Sequence, residues 1–424
     1  MSKITLINLP QPNSLDDRLD PPLGLMYIAS ALRKFNHVDV KIVDLPFIKK
    51  EDWPEAIGQA DIYGITVYSS SLHLAKEAHA ICKMNNPDSV TVVGGPHPTS
   101  LPEETKGYFD YVICGEGEFM FYFYKGSAIV KVPQITNLDA LPRPARDLVD
   151  IHAYTRKVAG QKATSITTSR GCPYSCAFCC KDVFGHKVRT FSIPYVIEEV
   201  KEITDKYGIR ALIFYDDTFA LDRKRFYPLC KELQKLNIVY RCNGDIRNNT
   251  LEDFQVLYDS GCREITFGVE SGSQKILDII GKGATVEKNI VAIKNAKRAG
   301  LVTKAFLMIG NPGESEETIE ETKAFMLEAD PDQYTLFQFV PLPGCAIWKD
   351  PEKYGIVITT KDFRNYYNIA GHNEGGLVVE TDTLSHAKIL ELKDSLLNFL
   401  YNRGQRGALQ NYYGETVSNH NTDV

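Results

Sequence analysis

The residues from Arg170 to Asp182 read RGCPYSCAFCCKD and hold four of the ten cysteines in the chain. Cys172, Cys176 and Cys179 follow the spacing C-x-x-x-C-x-x-C, and Cys180 sits directly beside the third. Three thiols on one short loop suit metal binding. Zinc usually takes four protein ligands, commonly from paired C-x-x-C knuckles, so this would be a knuckle short of one ligand. An iron–sulfur cluster of four irons has four corners, and three thiolates would leave one iron open to chelate a substrate. Cys180 is a poor fourth ligand, because adjacent side chains diverge. The other six cysteines, Cys82, Cys114, Cys230, Cys242, Cys262 and Cys345, lie alone and read as small buried apolar residues. Ten scattered cysteines in a long chain do not suggest a disulfide framework.

The elements that must carry this loop alternate between strand and helix patterns. KITLINLP (3–10), VDVKIVDLP (38–46), DIYGITVYS (61–69), SVTVVGGP (89–96) and DYVICGEGE (110–118) are short and rich in Val and Ile. LGLMYIASALRKF, EDWPEAIGQ and SLHLAKEAHAICKM lie between them with helical spacing. Such a β-α repeat predicts a parallel sheet covered on both faces, with ligands at the carboxyl ends of its strands. FMFYFYKGSAIVKV (119–132) suggests a hairpin around Lys125-Gly126, and NLDALPRPARDL (137–148) suggests a linker.

A second β-α series starts at TSITTSR (164–170), immediately before the cysteines. RALIFYDD (210–217), VYRCNGD (239–245), EITFGVES (264–271), TKAFLMIG (303–310) and QYTLFQFVPLPG (333–344) are its later strands. Helix boundaries are marked by Ser192, Pro194 and Gly208 around one segment and by Thr250 with Asp253 at the start of another. Six units predict a partial barrel, with its site at the strand C-termini. LSHAKILELKDSLLNFLYNRGQ reads as an amphipathic helix in the tail.

Bulk properties narrow the partners. A chain of 424 residues exceeds one ordinary core, so several domains are expected. A net charge of -6 offers no electrostatic reason to expect nucleic acid. No run of about 18 apolar residues suggests a membrane span, and MSKITLINLP lacks the charged and apolar regions of a secretion signal. The expectation is a cytoplasmic monomer.

CPYSCAFC, with Phe178 before the third cysteine, resembles the signature of the radical S-adenosylmethionine (SAM) enzymes. The six-unit series resembles that family's barrel, and further segments match in order. FYDDTFALDRKR (214–225) resembles the strand-two segment, which implies that Tyr215, Asp216 and Asp217 lie at the SAM amino group. FGVESGS (267–273) resembles strand four, where Glu270 and Ser271 would hold polar groups of SAM. FLMIGNPGE (306–314) resembles the strand-five segment with Gly310, and VPLPG (340–344) the end of strand six, with Val340 beside the adenine. The resemblance makes Cys172, Cys176 and Cys179 the ligands of a [4Fe-4S] cluster, with Phe178 packed near SAM.

The first series resembles the cobalamin-binding domain that precedes the barrel in one branch of this superfamily. PPLGLMYIASAL (21–32), VVGGPHPTSLPEE (92–104), CGEGE (114–118) and LPRPARDL carry that likeness. Ser70-Ser71-Leu72 fits its SxL and Gly94-Gly95 its GG, but PQPNSLDDRLDPP after the first strand contains no DxHxxG. The missing histidine would be the lower axial ligand of cobalt. The likeness implies cobalamin contacts at Tyr68, Ser70, Ser71, Leu72, Gly94, Gly95, Pro96, His97, Gly115, Glu116 and Gly117, with Tyr68 a candidate for the face below cobalt.

Together these imply an N-terminal flavodoxin-like (Rossmann-type) α/β domain at 1–136, a linker at 137–163, a partial (β/α)6 TIM-type radical SAM barrel at 164–345 and a small mixed C-terminal substrate or capping region at 346–424. The activity implied is methyl transfer from SAM, by way of methylcobalamin, to an unactivated sp3 carbon activated by a 5′-deoxyadenosyl radical. The substrate would be a residue of a protein or peptide, or a small natural product. A flavodoxin or ferredoxin would supply electrons. The alternatives are a cobalamin-dependent cyclase or ring-rearranging enzyme, and a SAM- or cobalamin-binding regulator. Candidate catalytic residues are Cys345 and Tyr366. Trp348, Tyr367, Asn368, His372 and Asn373 share the same polar and aromatic stretch.

Overall fold

The computed structural model describes residues 2–12, 14, 16–120, 126–247, 250–366 and 376–403. The chain divides into two compact units, Met1–Pro173 with Cys180–Leu212 and Tyr174–Cys179 with Ile213–Val424.

In the first unit, β1 (Lys3–Asn8), β2 (Asp39–Asp44), β3 (Ile62–Thr66), β4 (Val90–Gly94), β5 (Tyr111–Cys114) and β6 (Ile129–Lys131) form one sheet of order β2-β1-β3-β4-β5-β6. Every pairing in it is parallel. The reversal of direction at β1 and β3 is the doubly wound pattern, which opens a crevice at the carboxyl ends of those strands. The buried sides of β1 and of the helix Leu23–Asn36 build the core from Ile4, Leu6, Leu25, Ala29 and Leu32. The hairpin expected over 119–132 would have its first arm in residues 121–125, outside the described residues. Gly117–Phe119 is a 3-10 turn and β6 runs parallel to β5, because Val112, Ile113 and Cys114 pair with Ile129, Val130 and Lys131. The expected tip at Lys125 lies outside the described residues.

The segment read as a linker, 137–163, is packed along part of its length. Leu138, Leu141, Ala145, Ile151 and Tyr154 are buried. Arg146, also buried, donates to Glu199 Oε1 at 2.7 Å and to Ser165 O at 2.9 Å. Its last residues are strand: β7 (Lys157–Val158) pairs antiparallel with β8 (Gln161–Ile166). Short strands β9 (Ser169–Arg170) and β10 (Arg189–Thr190) pair antiparallel and bracket the cysteine loop.

β11 (Ala211–Phe214), β12 (Val239–Asn243), β13 (Cys262–Glu270), β14 (Val302–Ile309) and β15 (Gln333–Gln338) continue a seven-stranded sheet of order β15-β14-β13-β12-β11-β8-β7. From β12 to β15 each strand pairs in parallel with the next in sequence. Chain-ordered parallel strands joined by helices are the βα repeat of a curled half-barrel. The helix signals act as read: Ser192 accepts from Tyr195 N, Gly208 ends that helix in the left-handed region, and Thr250 with Asp253 forms a capping box. In the tail, β16 (Ile356–Ile358) pairs antiparallel with β17 (Val379–Thr381), and the helix His386–Asn402 is capped by Ser385. Among the described residues no helix is long and apolar enough to cross a membrane.

Candidate functional site

Between β9 and β10 the backbone takes no helix or strand, so its amides are fixed by single bonds. In the first unit, Cys172 N donates to Gly185 O at 3.3 Å. Gly171 adopts φ +91°, and a Cβ there would stand 2.4 Å from Lys187 O, so only glycine lets the chain turn into the loop. In the second unit, Cys179 N donates to Cys176 O at 3.1 Å and Ala177 N to Ile280 O at 2.8 Å, while Ala177 O accepts from Ile347 N at 3.2 Å. Cys176 is half-buried and Cys179 exposed, whereas all six lone cysteines are buried. Cys172 is itself buried, so the three thiols run from buried to exposed along a loop anchored through its backbone, and soft donors so placed suit an iron–sulfur cluster. Cys180 is drawn elsewhere, with its Sγ 3.4 Å from Ser100 Oγ, which itself donates to Asp182 at 2.9 Å. Among the described residues no three Cys, His, Asp or Glu side chains group closely enough to hold a single metal ion.

Glu270, at the carboxyl end of β13, has φ +66° and follows a register shift after Gly268. Such a conformation in a non-glycine residue stores strain and is concentrated at functional sites. Lys282 Nζ pairs with Glu270 Oε1 at 2.8 Å, and a Cβ on Gly268 would lie 2.6 Å from that oxygen. The same ammonium faces the Phe178 ring at 5.8 Å. Asp216 is buried, with its carbonyl accepting from Asn243 Nδ2 at 3.0 Å, while Tyr215 and Asp217 are exposed. Gly310 has φ +87° and donates its N–H to Glu314 Oε2 at 2.6 Å. Glu314 also accepts from Asn311 Nδ2 at 3.1 Å, and burial pushes its carboxyl up to about 7. Val340 is buried two residues beyond β15.

The buried hydroxyl of Ser271 lies 3.3 Å from Thr322 Oγ1 and accepts from Ser273 N at 3.1 Å, which shapes the turn after β13. The two candidate catalytic residues also have internal partners. Cys345 is buried, and its Sγ caps the turn Ala346–Lys349 by accepting from Trp348 N at 3.3 Å. Tyr366 is buried against Phe363 and Trp348, and its hydroxyl donates to Thr360 O at 2.9 Å. Burial raises that phenol above its ordinary range. Tyr367, Asn368, His372 and Asn373 lie outside the described residues.

At the first sheet, Tyr68, Ser70, Gly94, Gly95, Pro96, Gly115 and Gly117 follow the carboxyl ends of β3, β4 and β5. Tyr68 is 47% exposed, and desolvation by burial raises its phenol above the ordinary value. Ser71 is buried and exchanges hydrogen bonds with the Tyr68 backbone at 3.2 Å, which makes it a turn former; Leu72 is buried in the following helix. His97 is buried with Nδ1 3.0 Å from Ser69 Oγ, and burial pushes its imidazole down to about 4. It therefore ties two loops together as a neutral ring. Glu116 has a buried carboxylate that receives Arg170 at 3.0 Å, Arg189 at 2.6 Å and Ile135 N at 2.6 Å. Arg170 also pairs with Glu118 at 2.6 Å, so these acids brace β9 and β10 on either side of the cysteine loop. The loop after β1 is held by Asp16, which accepts from Thr155 Oγ1 at 2.6 Å, and by Asp20, which pairs with Arg156.

Lys282, Asp245, Arg247, Glu314 and the Arg170–Glu116–Arg189 brace are not evident from the cysteine and strand-end motifs alone. The adjoining E in CGEGE and in NPGE is the only signal the sequence carries for Glu116 and Glu314 as buried acceptors.

A doubly wound parallel sheet, followed by a curled βα sheet whose first strand leads into a three-cysteine loop, defines a B12-binding radical SAM architecture. The Radical SAM superfamily matches residues 166–326 and the B12 binding domain residues 20–122. A methyltransferase of Pyrococcus horikoshii, itself uncharacterized, is 34% identical over 82% of this chain and 82% of its own length. An anaerobic magnesium-protoporphyrin IX monomethyl ester cyclase of Rubrivivax gelatinosus is 26% identical over 82% of this chain and 68% of its own. The structure of the radical SAM methyltransferase TsrM from Kitasatospora setae, with cobalamin and a [4Fe-4S] cluster bound, superposes with a TM-score of 0.72 at 17% identity and covers 97% of both chains. The chain belongs to the cobalamin-dependent radical SAM family, and its cofactors are a [4Fe-4S] cluster, SAM and cobalamin.

Proposed function

We propose that the protein is a methyltransferase acting on an unactivated sp3 carbon of a protein residue or a small natural product. The observation that carries this reading is the three-cysteine loop, whose Phe178 faces the ammonium that also holds the strained Glu270. When bound, the cluster and SAM supply a radical that activates carbon, and cobalamin supplies the methyl carrier. Cys172, Cys176 and Cys179 would hold the cluster. Glu270, Gly310, Val340 and the backbone of Tyr215–Asp217 would orient SAM. Tyr68, Ser70, Gly94, Gly95, Pro96, Gly115 and Gly117 would cradle cobalamin. The likeness to a named methyltransferase over most of both chains supports transfer of a methyl group.

The Rubrivivax gelatinosus cyclase keeps a second reading in play, radical cyclisation with no methyl transfer. One experiment separates them. Anaerobically reconstituted protein is given a low-potential reductant, such as flavodoxin or ferredoxin, and SAM with a deuterated methyl group. A product three deuterium masses heavier than expected for hydrogen supports the methyltransferase; an unlabelled, dehydrogenated product supports the cyclase. Ten cysteines without a disulfide fit a reducing cytoplasm.

A further inference from the structure

Tyr174 lies between the first two cysteines of the loop and Phe178 between the last two, and both are held from the same place. Tyr174 OH donates to Asp245 Oδ2 at 2.6 Å. Arg247 Nε donates to Asp245 Oδ1 at 2.9 Å, and the guanidinium lies 3.0 Å from the centre of the Tyr174 ring. Arg247 Nη1 reaches further, to Lys282 O at 3.1 Å. Lys282 in turn pairs with Glu270 and faces Phe178. Between the two aromatic residues, Ala177 N is bonded to Ile280 O at 2.8 Å. The carboxylate of Asp245 is buried, so its interaction with Arg247 is little screened by water.

We propose that Arg247 is the positioning residue of the cysteine loop, holding Tyr174–Cys179 in its ligand shape before any iron arrives and tying that shape to Glu270. A free loop of this kind would lose its conformational freedom on taking up a cluster; a loop already clasped loses less. The task needs a planar cation that stacks on an aromatic face while its separate N–H groups reach a carboxylate and a carbonyl. Arginine does this and lysine does not. The inference rests on this loop being the cluster loop and is independent of methyl transfer.

The test compares Arg247→Ala, Arg247→Lys and Tyr174→Phe in the full-length chain. In reduced, iron-free protein, hydrogen exchange is followed at the Ala177 amide and, as an internal reference, through the helix Val286–Arg298. Iron and sulfide per chain are then counted after anaerobic reconstitution. Arg247→Ala should speed exchange at Ala177 about tenfold, the scale of one or two lost hydrogen bonds, with the reference helix unchanged. It should also lower iron retention, and Arg247→Lys should restore neither. Tyr174→Phe keeps the stack but loses the bond to Asp245, and should give a smaller effect of the same sign. Wild-type exchange and full iron in both Arg247→Ala and Tyr174→Phe would overturn the proposal. So would an equal rise in exchange across the reference helix, which would mean general destabilisation. Wild-type protein that takes up no iron would instead overturn the cluster assignment, a separate result.

Discussion

At the scale of single residues, function and structure divide the cysteines and the acids. Replacing Cys172, Cys176 or Cys179 with Ala should abolish cluster iron, read by metal analysis of anaerobic protein. Cys180→Ala should leave iron at the wild-type level, because that thiol is engaged with Ser100. Glu314 gives a test by pH. Its folded carboxyl titrates near 7, above the ordinary 4.5, so the native state binds the extra proton between those values. The stability it contributes is complete below pH 4.5 and falls away as pH rises through 7. A shift of this size corresponds to on the order of 3 kcal/mol. Chemical denaturation at pH 5 and pH 8 should therefore show a smaller difference in Glu314→Gln than in the wild type. An equal difference in both would remove Glu314 as its source.

At the scale of elements, the loops depend on braces placed outside them. The segment 137–163 reads as a tether from its prolines, yet Arg146 within it is buried against Glu199 of the helix Ile193–Tyr207. Leaving that carboxylate unpaired should cost about 3–5 kcal/mol, so Arg146→Ala should shift the urea midpoint strongly. A midpoint within error of the wild type would show that this segment is not an anchor. The helices themselves were legible because their boundaries are local chemistry. Ser192, Thr250 and Gly208 act through neighbours three or four residues away. Strand pairing is not local in this way: β6 lies beside β5 in a parallel register that no neighbouring residue sets.

At the scale of the whole molecule, ligand binding should register as stability. Cobalamin binding only the native state at 100 times its dissociation constant adds about 2.7 kcal/mol. Thermal melts of iron-free protein should therefore rise with added hydroxocobalamin. Added SAM should raise them further only after the cluster is rebuilt at Cys172, Cys176 and Cys179, which would complete the SAM site. A SAM-induced shift of equal size without iron would separate SAM binding from the cysteine loop.

The sequence by itself determined the two β-α series, the helix caps, the three-cysteine spacing and hence the family, because each is a short-range or periodic pattern. Only the tertiary structure decided which internal partners the polar side chains meet. Glu116, His97, Ser271, Cys345 and Tyr366 carry suitable chemistry, yet each is buried and bonded to groups the motifs do not name. It also decided what holds the loop. Tyr174 meets Asp245 across 71 positions of sequence, and Arg247 meets Lys282 across 35. No periodicity connects such positions; loops distant in sequence bring them together, and charge burial there requires a partner.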